Sequence, residues 1–236
     1  MSVLRDRFES IHFGVGFVVF PAPDLDRKRR LAFQGHLEDA GLEINQVRAG
    51  EQRLAVTTHL EKTPLHITVE GKPGEPAILT IIEGFPSHDL SLFIEAAQMA
   101  CVAYAKTWNE GQQVLGREVT IRKTVEAPGG DARKHLFLGR LDRTEAEIQL
   151  FGRPIHGFGM RFMMSPLKSE GTDAKAIELK VESMLADPKR LFVECVAKWP
   201  MPLPTCSLTP EPLMKWVDAF INDQVVSFME FRKEQP

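Results

Sequence analysis

Residues 177–182 read Ile-Glu-Leu-Lys-Val-Glu: Ile177, Leu179 and Val181 alternate with Glu178, Lys180 and Glu182. A period of two puts one set on a core face and the other in water, the pattern of a half-solvated β-strand. Such strands belong to antiparallel sheets, because parallel strands are usually covered on both faces. The same period recurs along the chain. Val119, Ile121 and Val125 alternate with Thr120, Arg122 and Thr124, and Ala146, Ile148 and Leu150 with Glu145, Glu147 and Gln149. It returns at Leu54, Val56, Thr58, Leu60 and at Leu65, Ile67, Val69. The run Ala77 to Ile82 is the exception. It reads as apolar throughout and is expected to be a central strand buried on both sides.

Three segments switch to helical spacing. The first spans about Asp26 to Ala40 and stops at Gly41, which suits a left-handed C-terminal position. The second begins near Ser87, carries the stripe Phe93, Ala97, Ala100, Tyr104, Trp108, and is closed by Gly111. The third begins at Thr209 with Pro210 in its first turn; Leu213, Trp216, Val217, Phe220, Ile221, Phe228 and Phe231 form its apolar stripe.

The order of these elements predicts an α+β fold, mainly antiparallel. It is expected to hold two strand meanders, each closed by a long amphipathic helix bearing a tryptophan, plus one helix near the N-terminus. About six strands are expected between the second and third helices. The halves are 1–112 and 113–236, with Asn109 to Gly116 as the expected boundary, or together one continuous domain. A duplication and two separately lidded sheets both fit this order, and no residue-level self-similarity favours the first.

A chain of 236 residues that is 43% hydrophobic can build a core without disulfide or metal staples. Its formal charge of -3 argues against a general nucleic-acid binder, which normally carries a basic excess. The densest basic run, Arg27-Lys28-Arg29-Arg30, has no interleaved aromatics and reads as the solvated start of a helix. Three cysteines, Cys101, Cys195 and Cys206, suit a reducing, cytoplasmic compartment better than a disulfide framework. The first residues mix acid and base before any apolar stretch, so neither a secretory signal nor a membrane anchor is expected.

Catalytic and metal motifs fail on inspection. Gly111 to Gly116 has the glycine spacing of a phosphate-binding loop, but Arg117 and Glu118 stand where lysine and a hydroxyl are needed. His36-Leu37-Glu38 and His59-Leu60-Glu61 lack the cysteine pair that would complete a zinc deaminase site. No His-Glu-x-x-His and no Gly-x-Ser-x-Gly occurs. Cys101 and Cys195 lie in apolar phases and read as inert packing residues; Cys206, in a Pro-rich loop, is the remaining thiol. Met160 and Met164 share the phase of Phe158 and Phe162, whereas Met163 faces the other way. No metal and no cofactor is called for.

One feature stands apart. Gly14 and Gly16 share the bare face of the first strand with His12; Gly157 and Gly159 share that of a later strand with Arg161. Paired strand glycines mark a bend or the close approach of another group. Were the two strands neighbours, they would form a shallow trough with an imidazole and a guanidinium at its edge, suited to an anionic ligand. Sheet curvature or a helix seated close on the strands explains the same glycines without a ligand.

Two functions follow as expectations. The first is an interaction or adaptor protein that works through a sheet face or edge, with a protein partner or a second copy of itself. The second is a binder of small anionic ligands, or an enzyme, using His12, Gly14, Gly16, Gly157, Gly159 and Arg161, with Glu118 or Glu178 as a supporting carboxylate.

Overall fold

The computed structural model describes residues 7–108, 110–141, 152–153, 155–203 and 207–230. It is an α+β fold built on one large antiparallel sheet. The first described element is a strand, β1 (Glu9–Phe20). Helix α1 (Arg27–Asp39) follows, then β2 (Ile44–Ala49), β3 (Arg53–Leu60), β4 (Thr63–Gly71), β5 (Ala77–Gly84) and the long helix α2 (Leu90–Trp108). The second half holds β6 (Gln113–Glu126), α3 (Ala132–Leu141), β7 (Gly159–Met164), β8 (Ala176–Ser183), β9 (Arg190–Trp199) and α4 (Pro210–Phe220). A π-helical turn, Ile221–Val225, carries α4 on into a last helical turn, Val226–Glu230.

The helix ends follow local chemistry. Asp26 caps α1 by accepting from the Arg29 backbone N–H, and Gly41 beyond its end takes φ 95°. Thr209 precedes α4, whose first residue is Pro210. The apolar stripe of α2 widens into Phe93, Ile94, Ala96, Ala97, Ala100, Cys101, Ala103, Tyr104 and Trp108, all buried. It needs that width because it packs on the sheet and also on α1 and α4, for instance where Phe33 meets Trp108 with ring centroids 5.0 Å apart.

The strand order is β2-β3-β4-β5-β1-β6-β9-β8-β7, every pairing antiparallel. The two halves therefore share a sheet, joined where β1 lies against β6 from Glu9–Thr124 to Phe20–Gln113. Gln113 to Gly116, the last part of the expected boundary, belongs to β6. Helix α3 takes up residues for which only strands and loops were expected; Leu136 is buried beneath it and Phe137 meets Phe158 edge to face at 5.1 Å. The expected strand at Ala146 to Leu150 lies outside the described residues.

One set of strand side chains forms the core: Phe13, Val15, Phe17 and Val19 of β1, Val119 and Ile121 of β6, Val193, Cys195 and Ala197 of β9. The helices pack on this set, as where Phe93 of α2 meets Phe13 at 5.4 Å and Phe228 meets Phe162 at 5.5 Å. β5 obeys the same rule. Ala77, Leu79 and Ile81 are buried while Ile78 is 49% exposed, so this strand is covered on one face and not two. The reason is that the helices lie on one side only. Among the described residues the outward set of the whole sheet has no covering element, and no helix is long and apolar enough to cross a membrane.

Candidate functional site

The strand register places the glycine-bearing strands far apart. His12, Gly14 and Gly16 lie on β1 in mid-sheet, whereas Gly159 and Arg161 lie on the edge strand β7, with β6, β9 and β8 between them. Gly157 precedes β7. Four strand spacings of ~4.8 Å separate β1 from β7 by about 19 Å. The trough that adjacency would have formed is not assembled.

The individual glycines explain themselves by what lies over them. A Cβ on Gly14 would come 3.1 Å from His12 Nε2, because the imidazole of His12 lies back along its own strand. A Cβ on Gly157 would strike Leu185 Cδ2 at 2.6 Å, and one on Gly159 would strike Glu182 Cγ at 2.6 Å. These two positions are glycine to seat neighbouring side chains. Gly16 has only the Leu79 carbonyl within reach, at 3.8 Å, and leaves the outward face bare.

Although β1 and β7 are not neighbours, one row of the register links His12 to Arg161. His12 stands opposite Arg122, Arg122 opposite Glu194, Glu194 opposite Lys180, and Lys180 opposite Arg161. The row is an ion-pair ladder. Glu194 accepts from Arg122 Nε at 2.5 Å and from Lys180 Nζ at 2.5 Å; Glu178 lies 3.4 Å from Lys180 and 2.8 Å from Arg161. Burial alone would raise the Glu194 carboxyl, but its bonds to Lys180 and Arg122 outweigh it and hold it below the usual range. The Arg161 bond lowers Glu178, and the Glu194 bond raises Lys180.

His12 sits at the end of this ladder. Burial, with the Arg122 charge adding to it, pushes its pKa below 6.5, so the ring is neutral at pH 7. Among the described residues neither ring nitrogen makes a hydrogen bond. Among the described residues Arg122 bonds to Glu194 through Nε, and its side chain is 41% exposed. The structure thus pairs His12 with Arg122, not Arg161. The outward phase of Arg122 was readable from the alternation around it; its neighbour was not.

A second concavity, of about 600 Å³, lies where β1 begins. Phe8, Ser10, Ile11, the 86–91 segment, Lys123 and Asp218 line it. Lys123 is committed there to Asp218 at 2.5 Å and Asn222 at 3.0 Å. Beside it His88 donates from Nδ1 to the Asp89 carbonyl at 2.9 Å and meets Glu83 Oε1 through Nε2 at 2.8 Å. With both nitrogens occupied, His88 is a fastener between loop and sheet, not a free acid or base.

The remaining candidates are placed as follows. His59 pairs with Asn45 and His66 with Thr57, both on the outward face. Cys101 and Cys195 are buried, and burial pushes the Cys195 thiol up to about 12. Cys206 lies outside the described residues. Met163 is 76% exposed on the outward face. Among the described residues no group of three or more His, Cys, Asp or Glu side chains is placed to hold a metal.

No family model matches this chain, and no curated protein matches it. Among solved structures it resembles DynU16, a protein of the dynemicin biosynthetic locus, at 10% identity and a TM-score of 0.21, with 95% of this chain and 97% of that chain covered. A likeness of that size carries no argument.

Proposed function

We propose that this protein is an interaction module whose working surface is the outward face of its sheet. The observation behind this reading is the one-sided cover: among the described residues the helices pack on the inward set and no element lies over the opposite face. Eight intervals of ~4.8 Å and strands of about eight residues at ~3.4 Å give that face on the order of 1,000 Å². A stable interface needs roughly 800 Å² per partner, so the face is large enough by itself.

Its chemistry is mixed in the way an interface requires. Toward β3, β4, β5 and β1 it carries Ala55, Thr57, Thr68, Thr80, Ile82 and Val18, side chains without charge that are cheap to desolvate, beside the polar His59, His66 and the Arg53–Glu70 pair. Toward β6, β9, β8 and β7 it carries the ion-pair ladder, which supplies register and specificity more than affinity. Phe20 and Ile78 add apolar area at one end, 41% and 49% exposed.

Site-specific photo-cross-linking in cells tests the reading. A benzophenone side chain at Thr80 or Thr120, both outward, is expected to give discrete adducts; the same group at Glu95 or Lys106, on the exposed side of α2, is expected to give none. No adduct from the sheet positions, or the same adducts from both surfaces, overturns it.

A further inference from the structure

The ladder on the outward face is unbalanced in a way that identifies what it receives. It holds three cations, Arg122, Lys180 and Arg161, and two carboxylates, Glu194 and Glu178, in the order cation, anion, cation, anion, cation. Glu194 spends one oxygen on Arg122 and the other on Lys180, and Glu178 meets Lys180 and Arg161 through the same oxygen, so each inner group has two partners and each end cation one. The surplus therefore lies at the two ends. Arg161, 56% exposed on an edge strand, is the more open to water and screening. Arg122 stands in mid-sheet with Glu194, only 5% exposed, behind it and His12 beside it.

The ground around Arg122 is prepared for a small planar group. Its neighbour across β1 is His12, whose own neighbour on β5 is Gly84, with no side chain. Gly14 lies next along β1 with Thr120 opposite, and the Thr120 Cβ is 3.8 Å from where a Gly14 Cβ would stand. His12 and Thr120 thus flank Gly14, with Arg122 across the strand pair from His12 and next but one to Thr120 on β6. A guanidinium edge matches a carboxylate through two parallel N–H···O bonds. One surplus positive charge beside a neutral imidazole suits a monoanion better than a dianion.

We infer that Arg122, with His12 and Thr120, forms a carboxylate-binding point that extends the ladder's alternation by one more anion. This rests on the outward face being the working surface. Failed cross-linking would remove that surface, whereas the experiment below can fail alone.

The test is an NMR titration of the whole chain with acetate, against chloride at matched ionic strength and pH 7. Saturable shifts are expected at the His12 ring, the Arg122 Nε–H and the Thr120 amide. They should vanish in Arg122→Gln and persist in Arg161→Gln. Where Arg122→Gln unsettles Glu194, the double variant Arg122→Gln/Glu194→Gln removes both partners of the bond and should show the same loss. Saturation at a dissociation constant well above about 1 mM marks the point as one contact of a larger partner surface, and tighter binding marks a free small acid. Shifts that never saturate, that survive Arg122→Gln, or that appear equally with chloride overturn the inference.

Discussion

Replacing Glu83 separates two accounts of a buried acid. Glu83 closes the inward set of β5, paired across the sheet with Phe13 and Leu65, and is 0% exposed. Its Oε1 meets His88 Nε2 at 2.8 Å, and its Oε2 has no partner among the described residues. Since Nδ1 of His88 already donates to the Asp89 carbonyl, one proton lies between Oε1 and Nε2. Burial raises the Glu83 pKa above 4.5, against the opposing bond from His88. Glu83→Gln keeps the volume, offers an amide N–H to a neutral Nε2 and removes the titrating carboxyl. Its expected cost at pH 7 is under ~1 kcal/mol, the range of a volume-conserving swap. Glu83→Ala leaves Nε2 without a partner, at about 1–3 kcal/mol, and opens a cavity worth about 2 kcal/mol more. At about 2–4 °C per kcal/mol for a chain of this size, Glu83→Ala should melt roughly 10 °C below wild type. The pH dependence has a definite sign. A carboxyl raised on folding contributes fully below its unfolded value of 4.5 and loses that contribution as pH rises through its folded value. The melting temperature of Glu83→Gln minus that of wild type should therefore grow from pH 4.5 upward in scanning calorimetry. Equal melting of the Gln and Ala variants, or a difference that grows toward acid, would refute the shared-proton account.

Three further outcomes follow from the same geometry. Gly14→Ala places a Cβ 3.1 Å from His12 Nε2, so the ring should swing toward water and its NMR titration midpoint should rise toward 6.5; an unchanged midpoint would show that Gly14 does not seat the ring. Glu194→Gln removes a carboxyl whose folded pKa is depressed. Such a group stabilises above 4.5 and loses its effect as pH falls through the folded value, so the variant should lose more melting temperature at pH 7 than at pH 3. A constant deficit would mean that the ladder contributes no net charge stabilisation. Thiol labelling of the native protein at pH 8 should leave Cys101 and Cys195 unmodified until denaturant is added, since both are buried and Cys195 is pushed up to about 12; mass spectrometry finding rapid native modification of Cys195 would contradict its placement.

Much of this fold was legible wherever a local signal is also the structural cause. Alternation at Ile177 to Glu182 names the face of β8, and Asp26 with Gly41 brackets α1, because burial and capping act within a few residues. Strand order is another matter. It is decided by which apolar faces find each other after collapse, and period two is blind to that. The glycines of β1 and of the segment entering β7 stand out in the alternation, yet what lies over or beside them, Arg122 in one case and Glu182 in the other, comes from strands that the alternation does not identify. Glu83 was hidden for a related reason. One acid after the apolar run Ala77 to Ile82 reads as the strand's end, and only His88, five residues on, allows it to stay inside. Helix α3 was missed because the loop-like Ala127 to Ala132 precedes it, and its short apolar stripe finds its partners in Phe158 and β8, which lie further along the chain.

The position of the candidate site follows from how the halves are joined. Outward from the β1–β6 seam the order is β5, β4, β3, β2 on one side and β9, β8, β7 on the other; in each half the last strand returns to pair with the first. His12 belongs to the first half and Arg122 to the second, so they meet only across this seam. Register is what holds them together. A slip of two residues between β1 and β6 would keep every apolar side chain inward, so the hydrophobic pattern alone cannot forbid it. It would nevertheless set His12 opposite Thr120 or Thr124. The irregularities between Ser10 and His12 and between Val18 and Val19 bracket the paired stretch and make such a slip costly, because each bulge fits only one partner geometry. The bulges toward the two ends of the seam are therefore positioning features of the site, and one of them ends at His12 itself.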